Sequence, residues 1–195
     1  MASYTPQNFQ HLIGLSGLSD TLLTNHFTLY EGYVANINKL NDALVELEKN
    51  DKFGTAEFAE MNRRFGWEWN GMRLHELYFG NLTKKSAALS KDSPLRAKIV
   101  ADFGSLDNWE KDFRSMGAMR GIGWVILYWD KMSERFFNVW VNEHDAGHLA
   151  GSVPLLVMDV FEHAFMLDYG IKRVDYIETF FRSIDWTIVE KRLSN

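Results

Sequence analysis

The hydrophobic period of this chain changes twice along its length, and that change restricts the fold more than any single motif. From Leu22 to Leu47 and from Glu57 to Phe79, apolar residues recur at helical spacing. Two shorter helical patterns follow, Leu95–Phe103 and Leu106–Met116. Trp124–Trp129 and Arg135–Val141 are then rich in Val, Ile, Phe and Trp and are separated by a polar turn, which is strand chemistry. Leu155–Met158 gives a third strand, and helical patterns return from Glu162. Helices, then strands, then helices predict an α+β fold and not alternating βαβ units. Lys84 to Pro94, with its Ser, Lys and Pro, is the expected linker, so the chain divides into residues 1–88 and 89–195.

The third strand runs into Asp159, with Glu162 and His163 three and four places later. A strand end and the following turn bring a carboxylate and an imidazole together. In an apolar setting that is costly unless the two share a partner. A metal ion satisfies both, with Asp ionised and His neutral. An Asp–His hydrogen bond at a strand end satisfies them as well, and this segment alone leaves both readings open. Two further histidines lie on amphipathic helices: His26 with Leu22, Tyr30 and Tyr33 on one face, and His75 among apolar neighbours. Either one alone reads as a satisfied core histidine. Together with Asp159 and His163 they make three imidazoles and one carboxylate, a ligand set suited to a redox metal. The aromatic set Tyr30, Tyr33, Trp67, Trp69 and Tyr78 reads as plain core.

The stretch Asp159-Val-Phe-Glu-His163-Ala-Phe-Met-Leu-Asp-Tyr169 resembles the signature Asp-x-Trp-Glu-His-Ala of the iron/manganese superoxide dismutases. Gly121-Ile-Gly-Trp124, Arg173-Val-Asp175-Tyr176 and Phe180-Phe-Arg-Ser-Ile-Asp-Trp186 are similar to further motifs of that family, in the same order. The His75 region matches more loosely, the His26 region in part, and residues before about Ser19 lack the family's opening motif. The resemblance implies a helical hairpin domain, a second domain with a three-stranded antiparallel sheet, and a metal site between them. It implies His26, His75, Asp159 and His163 as ligands of one iron or manganese ion per chain, and superoxide as substrate. It implies a homodimer in which Glu162 reaches the partner's ligand histidine.

Around those ligands the chain departs from the family pattern. Tyr33 stands seven residues after His26 where the family has eight, and one residue swings a helical side chain by about 100°. A family helix carrying a π-type bulge would absorb the difference, so Tyr33 is assigned as the tyrosine at the entrance. Tyr30 and Met166 replace a His and a Tyr that pair across the family's subunit boundary, and Phe161 replaces a Trp. Gly71 stands where some relatives carry a glutamine that bonds metal-bound solvent. His144, fifteen residues before Asp159, is assigned that role by an ungapped alignment through Gly151-Ser-Val-Pro-Leu-Leu, with Gly71 leaving it room. Trp124 and Arg173 complete the surrounding set. The changes at Tyr30, Phe161 and Met166 leave a second reading open: a weakly active or inactive relative that keeps its metal for structure.

Composition excludes several other classes. The 195-residue chain has no cysteine, hence no disulfide framework, thiolate site or cysteine nucleophile. No Glu-x-x-His occurs, which argues against a helical diiron carboxylate protein. There is no charged-then-apolar leader and no apolar run long enough to span a bilayer, so a cytoplasmic protein is expected. A net charge of −5 argues against nucleic acid. It also means that an anionic substrate must be drawn by a local field, for which Lys172 and Arg173 are the expected sources. His11 and His148 are expected at the surface or its boundary.

Overall fold

A computed structural model describes residues 3–194. Two long helices, α1 (Asp20–Lys49) and α2 (Ala56–Gly80), form an antiparallel pair. Each begins where a hydroxyl can cap it: Ser19 Oγ accepts from the Leu22 N–H at 3.1 Å and Thr55 Oγ1 from the Phe58 N–H at 3.2 Å. Leu22, Leu23, His26, Phe27, Tyr30, Val34 and Ile37 are buried along α1. Helix α1 therefore starts two residues before the apolar pattern does, because the cap sets the boundary. It is α-helical throughout and carries no bulge, as the position of Tyr33 requires.

Helices α3 (Pro94–Phe103) and α4 (Leu106–Gly117) lead to the sheet. Its strands β1 (Gly123–Asp130), β2 (Arg135–Asn142) and β3 (Val153–Asp159) pair antiparallel in the order β2-β1-β3. Central β1 is buried from Gly123 to Trp129. Gly123 has φ +146°, and a Cβ there would lie 2.1 Å from the Val141 carbonyl oxygen, so only glycine opens this strand. Strand β3 begins before Pro154, earlier than the apolar run suggests. It is an outer strand, and Pro154 sits beside a register shift at Leu127/Tyr128, where a missing N–H is tolerated.

Beyond β3 the chain makes a 3₁₀ turn (Glu162–Ala164) and the one-turn helix α5 (Met166–Tyr169), which ends at Gly170 (φ +54°). Helices α6 (Arg173–Arg182) and α7 (Trp186–Leu193) close the chain. The helical period expected from Glu162 is thus interrupted before α6. Asn81, just past α2, ties that helix to the sheet. Its Nδ2 donates to the carbonyls of Tyr78 (2.8 Å) and Val157 (3.3 Å), and its Oδ1 accepts from the Val157 N–H at 3.0 Å. The register places Asp159, the last residue of β3, opposite Trp124 at the start of β1.

Candidate metal centre

Four side chains from four separate elements converge beside the α1–α2 pair. His26 comes from α1, His75 from α2, Asp159 from the end of β3 and His163 from the 3₁₀ turn. One donor atom from each lies within 4.8 Å of all the others. Asp159 Oδ2 is the hub, 3.2 Å from His26 Nε2, 3.7 Å from His75 Nε2 and 3.1 Å from His163 Nε2. Its other oxygen accepts the Phe161 N–H at 2.9 Å, which fixes the carboxylate plane.

The donor set fits a metal ion. His75 Nδ1 donates to the Gly71 carbonyl at 2.5 Å, which leaves Nε2 deprotonated and turned inward. His75 Nε2 and both His26 nitrogens are buried without a hydrogen-bond partner; the 3.2 Å approach of His26 to Asp159 lacks hydrogen-bond geometry. Buried nitrogens left so are costly, and a cation bound by the two Nε2 atoms removes that cost for them; His26 Nδ1 keeps no partner among the described residues. Protonation is already right for ligation. Burial lowers the pKa of both His26 and His75, so they stay neutral. Burial pushes Asp159 up, but the charge and hydrogen bond of His163, with the close approach of His26, more than offset it and hold the carboxyl well below its usual range.

Tyr33 covers one side of this cluster, its ring stacked on His75 at 5.3 Å. Its hydroxyl is 2.6 Å from His144 Nε2, and His144 Nδ1 accepts the Trp124 indole N–H at 3.1 Å. His144 is buried, against the ordinary expectation for a histidine between Glu and Asp. The loop that carries it folds back on itself: His148 Nε2 donates to the His144 carbonyl at 2.8 Å, and Tyr128 donates to His148 Nδ1 at 2.7 Å. The room at Gly71 is filled by Tyr33, whose Cδ1 would lie 2.5 Å from a Cβ there, and not directly by His144. Burial, then Asp159 and Glu68, push the Tyr33 hydroxyl up to about 12, with Arg64 opposing. Burial brings His144 down to about 4.

The remaining expected residues are distributed around this core. Phe161 stacks on both His144 (4.8 Å) and His163 (5.1 Å). Tyr30 is buried; its hydroxyl donates to Glu76 at 3.0 Å and accepts the Gln7 N–H at 2.9 Å. Glu162 is exposed beside His163. Arg173 donates to the carbonyls of Met119 (2.6 Å) and Gly121 (2.8 Å), and with Lys172 it lines a hollow that also includes Glu162 and Met166. His11 is exposed and His148 half-buried. Two participants escaped the sequence reading. Trp67, taken for core, is half-buried with its ring 4.8 Å from His144. Tyr176 donates to the Asp159 carbonyl at 2.7 Å. Spacing held a signal for Trp67, since residues 67, 71 and 75 fall on one side of a helix.

Three imidazoles and a carboxylate, set between a helical hairpin and a three-stranded antiparallel sheet, make a group that could hold a metal ion in an α+β protein. A family model described as iron/manganese superoxide dismutases, C-terminal domain, matches residues 91–192. An iron superoxide dismutase of Aquifex pyrophilus is 34% identical over 192 residues, 96% of this chain and 86% of its own. One of Cupriavidus metallidurans is 35% identical over 178 residues, 88% of this chain and 86% of its own. A manganese superoxide dismutase of Haloferax volcanii is 34% identical over 170 residues, 87% and 83% of the two chains. The chain belongs to the iron/manganese superoxide dismutase family.

Proposed function

We propose that this protein disproportionates superoxide, converting two superoxide anions and two protons to dioxygen and hydrogen peroxide. The observation that carries the reading is the cluster of His26, His75, Asp159 and His163, with donor atoms within 4.8 Å of one another and the buried His26 Nε2 and His75 Nε2 without a hydrogen-bond partner. Iron or manganese held by these four residues supplies a one-electron couple, and the donor types suit either metal.

The residues around the cluster orient and shield. Trp124 has only a donor to offer, so His144 accepts at Nδ1 and in its neutral form carries its proton at Nε2. That proton is directed at the Tyr33 oxygen, which leaves the Tyr33 O–H free to donate to an oxygen species in the site. Phe161 and Trp67 pack on His144 and limit the volume open to water. We assign Tyr33 as the group that positions solvent and substrate; His144, expected from sequence to bond metal-bound solvent directly, has both ring nitrogens engaged and acts through Tyr33.

The reading includes two domains, residues 1–88 and 89–195, that share the ion. It also includes a homodimer through the surface around Glu162, where Met166 and Leu167 are exposed. Sedimentation at micromolar concentration tests the dimer; the mass of a single chain overturns it. A cytoplasmic location belongs to the same proposal, and recovery in the cytosolic fraction checks it. Elemental analysis of the purified protein together with a superoxide-consumption assay tests the function. One equivalent of iron or manganese with turnover is expected. A full metal equivalent without turnover gives the structural role instead.

A further inference from the structure

The stripe of α2 that carries His75 continues outward to a charge pair the mechanism does not use. Arg64, Glu68, Gly71 and His75 recur at three- and four-residue spacing and share one edge of the helix. Gly71 lies under Tyr33 and His75 is a metal-ligand candidate. One turn further out, Glu68 is buried, and its Oε2 has no hydrogen-bond partner among the described residues. Its Oε1 accepts from Arg64 Nε at 3.0 Å, and the Arg64 side chain is half exposed.

The guanidinium lies over the Trp67 ring, 4.8 Å from its centroid, and the same ring packs 4.8 Å from His144. Arg64, Trp67, His144 and Tyr33 thus form a continuous line from solvent to the cluster. Held flat by a buried carboxylate and an aromatic face, the arginine is pre-organised. Lys172 and Arg173, the cations expected from sequence, line the hollow with Glu162, and the Arg173 guanidinium is occupied by two backbone carbonyls.

We infer that Arg64 and Glu68 set the local field through which a small anion reaches Tyr33 and His144, with Arg64 attracting and Glu68 opposing. The inference rests on the dismutase reading for its substrate, superoxide, a monoanion approaching a chain of net charge −5. A single charge near a solvated entrance changes local anion concentration about twofold at low salt.

The metal-loaded protein is compared with R64Q, R64K and E68Q. Two quantities are read across ionic strength: kcat/KM for superoxide, and the dissociation constant of azide followed by absorption. R64Q is expected to lower kcat/KM and weaken azide binding about twofold at low salt, and E68Q to change both in the opposite direction by a similar factor. R64K keeps the charge and stays close to the parent. All differences shrink toward about 1 M salt, where the screening length is about 3 Å. A purely structural pair predicts otherwise: R64Q and E68Q move together, R64K behaves as R64Q, and salt leaves the differences unchanged. Any of these overturns the inference. A parent protein that binds azide but consumes no superoxide overturns the dismutase reading alone, and the azide shifts still decide the charge pair.

Discussion

Trp124 decides which nitrogen of His144 carries a proton, and through it what Tyr33 can do. Trp124→Phe removes the indole donor and leaves Nδ1 buried without a partner, at a cost of about 1–3 kcal/mol in unfolding free energy. Denaturant titration checks this, and an unchanged midpoint would mean the bond contributes nothing. His144 also makes the protein acid-sensitive. Its pKa falls from 6.5 to about 4 on burial, so between those values the unfolded chain binds more protons than the folded one. Stability is therefore lost as pH falls from about 6.5 to 4. In the metal-free protein, His144→Gln should flatten that part of the stability–pH curve. A curve of the same slope in this window would assign the sensitivity to other groups. The four ligand candidates were legible because an apolar run ends at Asp159, helical spacing places His26 and His75 on inward faces, and the motif Asp159 to His163 resembles a family signature. The burial of His144 was not, since it depends on a loop that returns through His148. Glu68 and Arg64 were equally silent, because an i,i+4 ion pair is common on any exposed helix.

At the scale of elements, the α1–α2 pair holds the site by close approach at one glycine. A methyl group at Gly71 would meet three atoms of the Tyr33 ring, the nearest at 2.5 Å. Gly71→Ala should cost about 1–3 kcal/mol through overpacking and turn Tyr33 off His75. A structure of the variant with Tyr33 unmoved, together with an unchanged melting temperature, would show that α1 adjusts freely. The helices and strands were readable from hydrophobic period, with ends off by one to two residues where Ser19 or Pro154 sets the boundary. The break in helix after Glu162 was less so, because the same short apolar run suits a 3₁₀ turn and an α-helix. Which residues line α2 toward the site was readable only in part. Gly71 was seen as an opening, and the tyrosine that fills it comes from the other helix.

For the whole molecule, the proposed ion would be a structural partner as well as a reagent, since its ligand candidates come from both ends of the chain. His163→Ala should remove it, and the variant should melt close to the metal-free parent. Free metal at about a thousand times its dissociation constant stabilises a folded state by about 4 kcal/mol, so chelation should lower the melting temperature visibly. A His163→Ala protein that still holds a full equivalent would show that His163 is not a ligand. The clasp made by Asn81 extends this argument into time. It joins the end of α2 to β3, and so joins a ligand made early in synthesis to one made late. His26 and His75 leave the ribosome long before Asp159 and His163 exist. Bringing all four together must wait for β3 to dock against α2, a long-range pairing of the slow kind. On the proposed assignment, metal choice would fall to a nearly finished protein in whatever pool of ions surrounds it at that moment, not to the nascent helices.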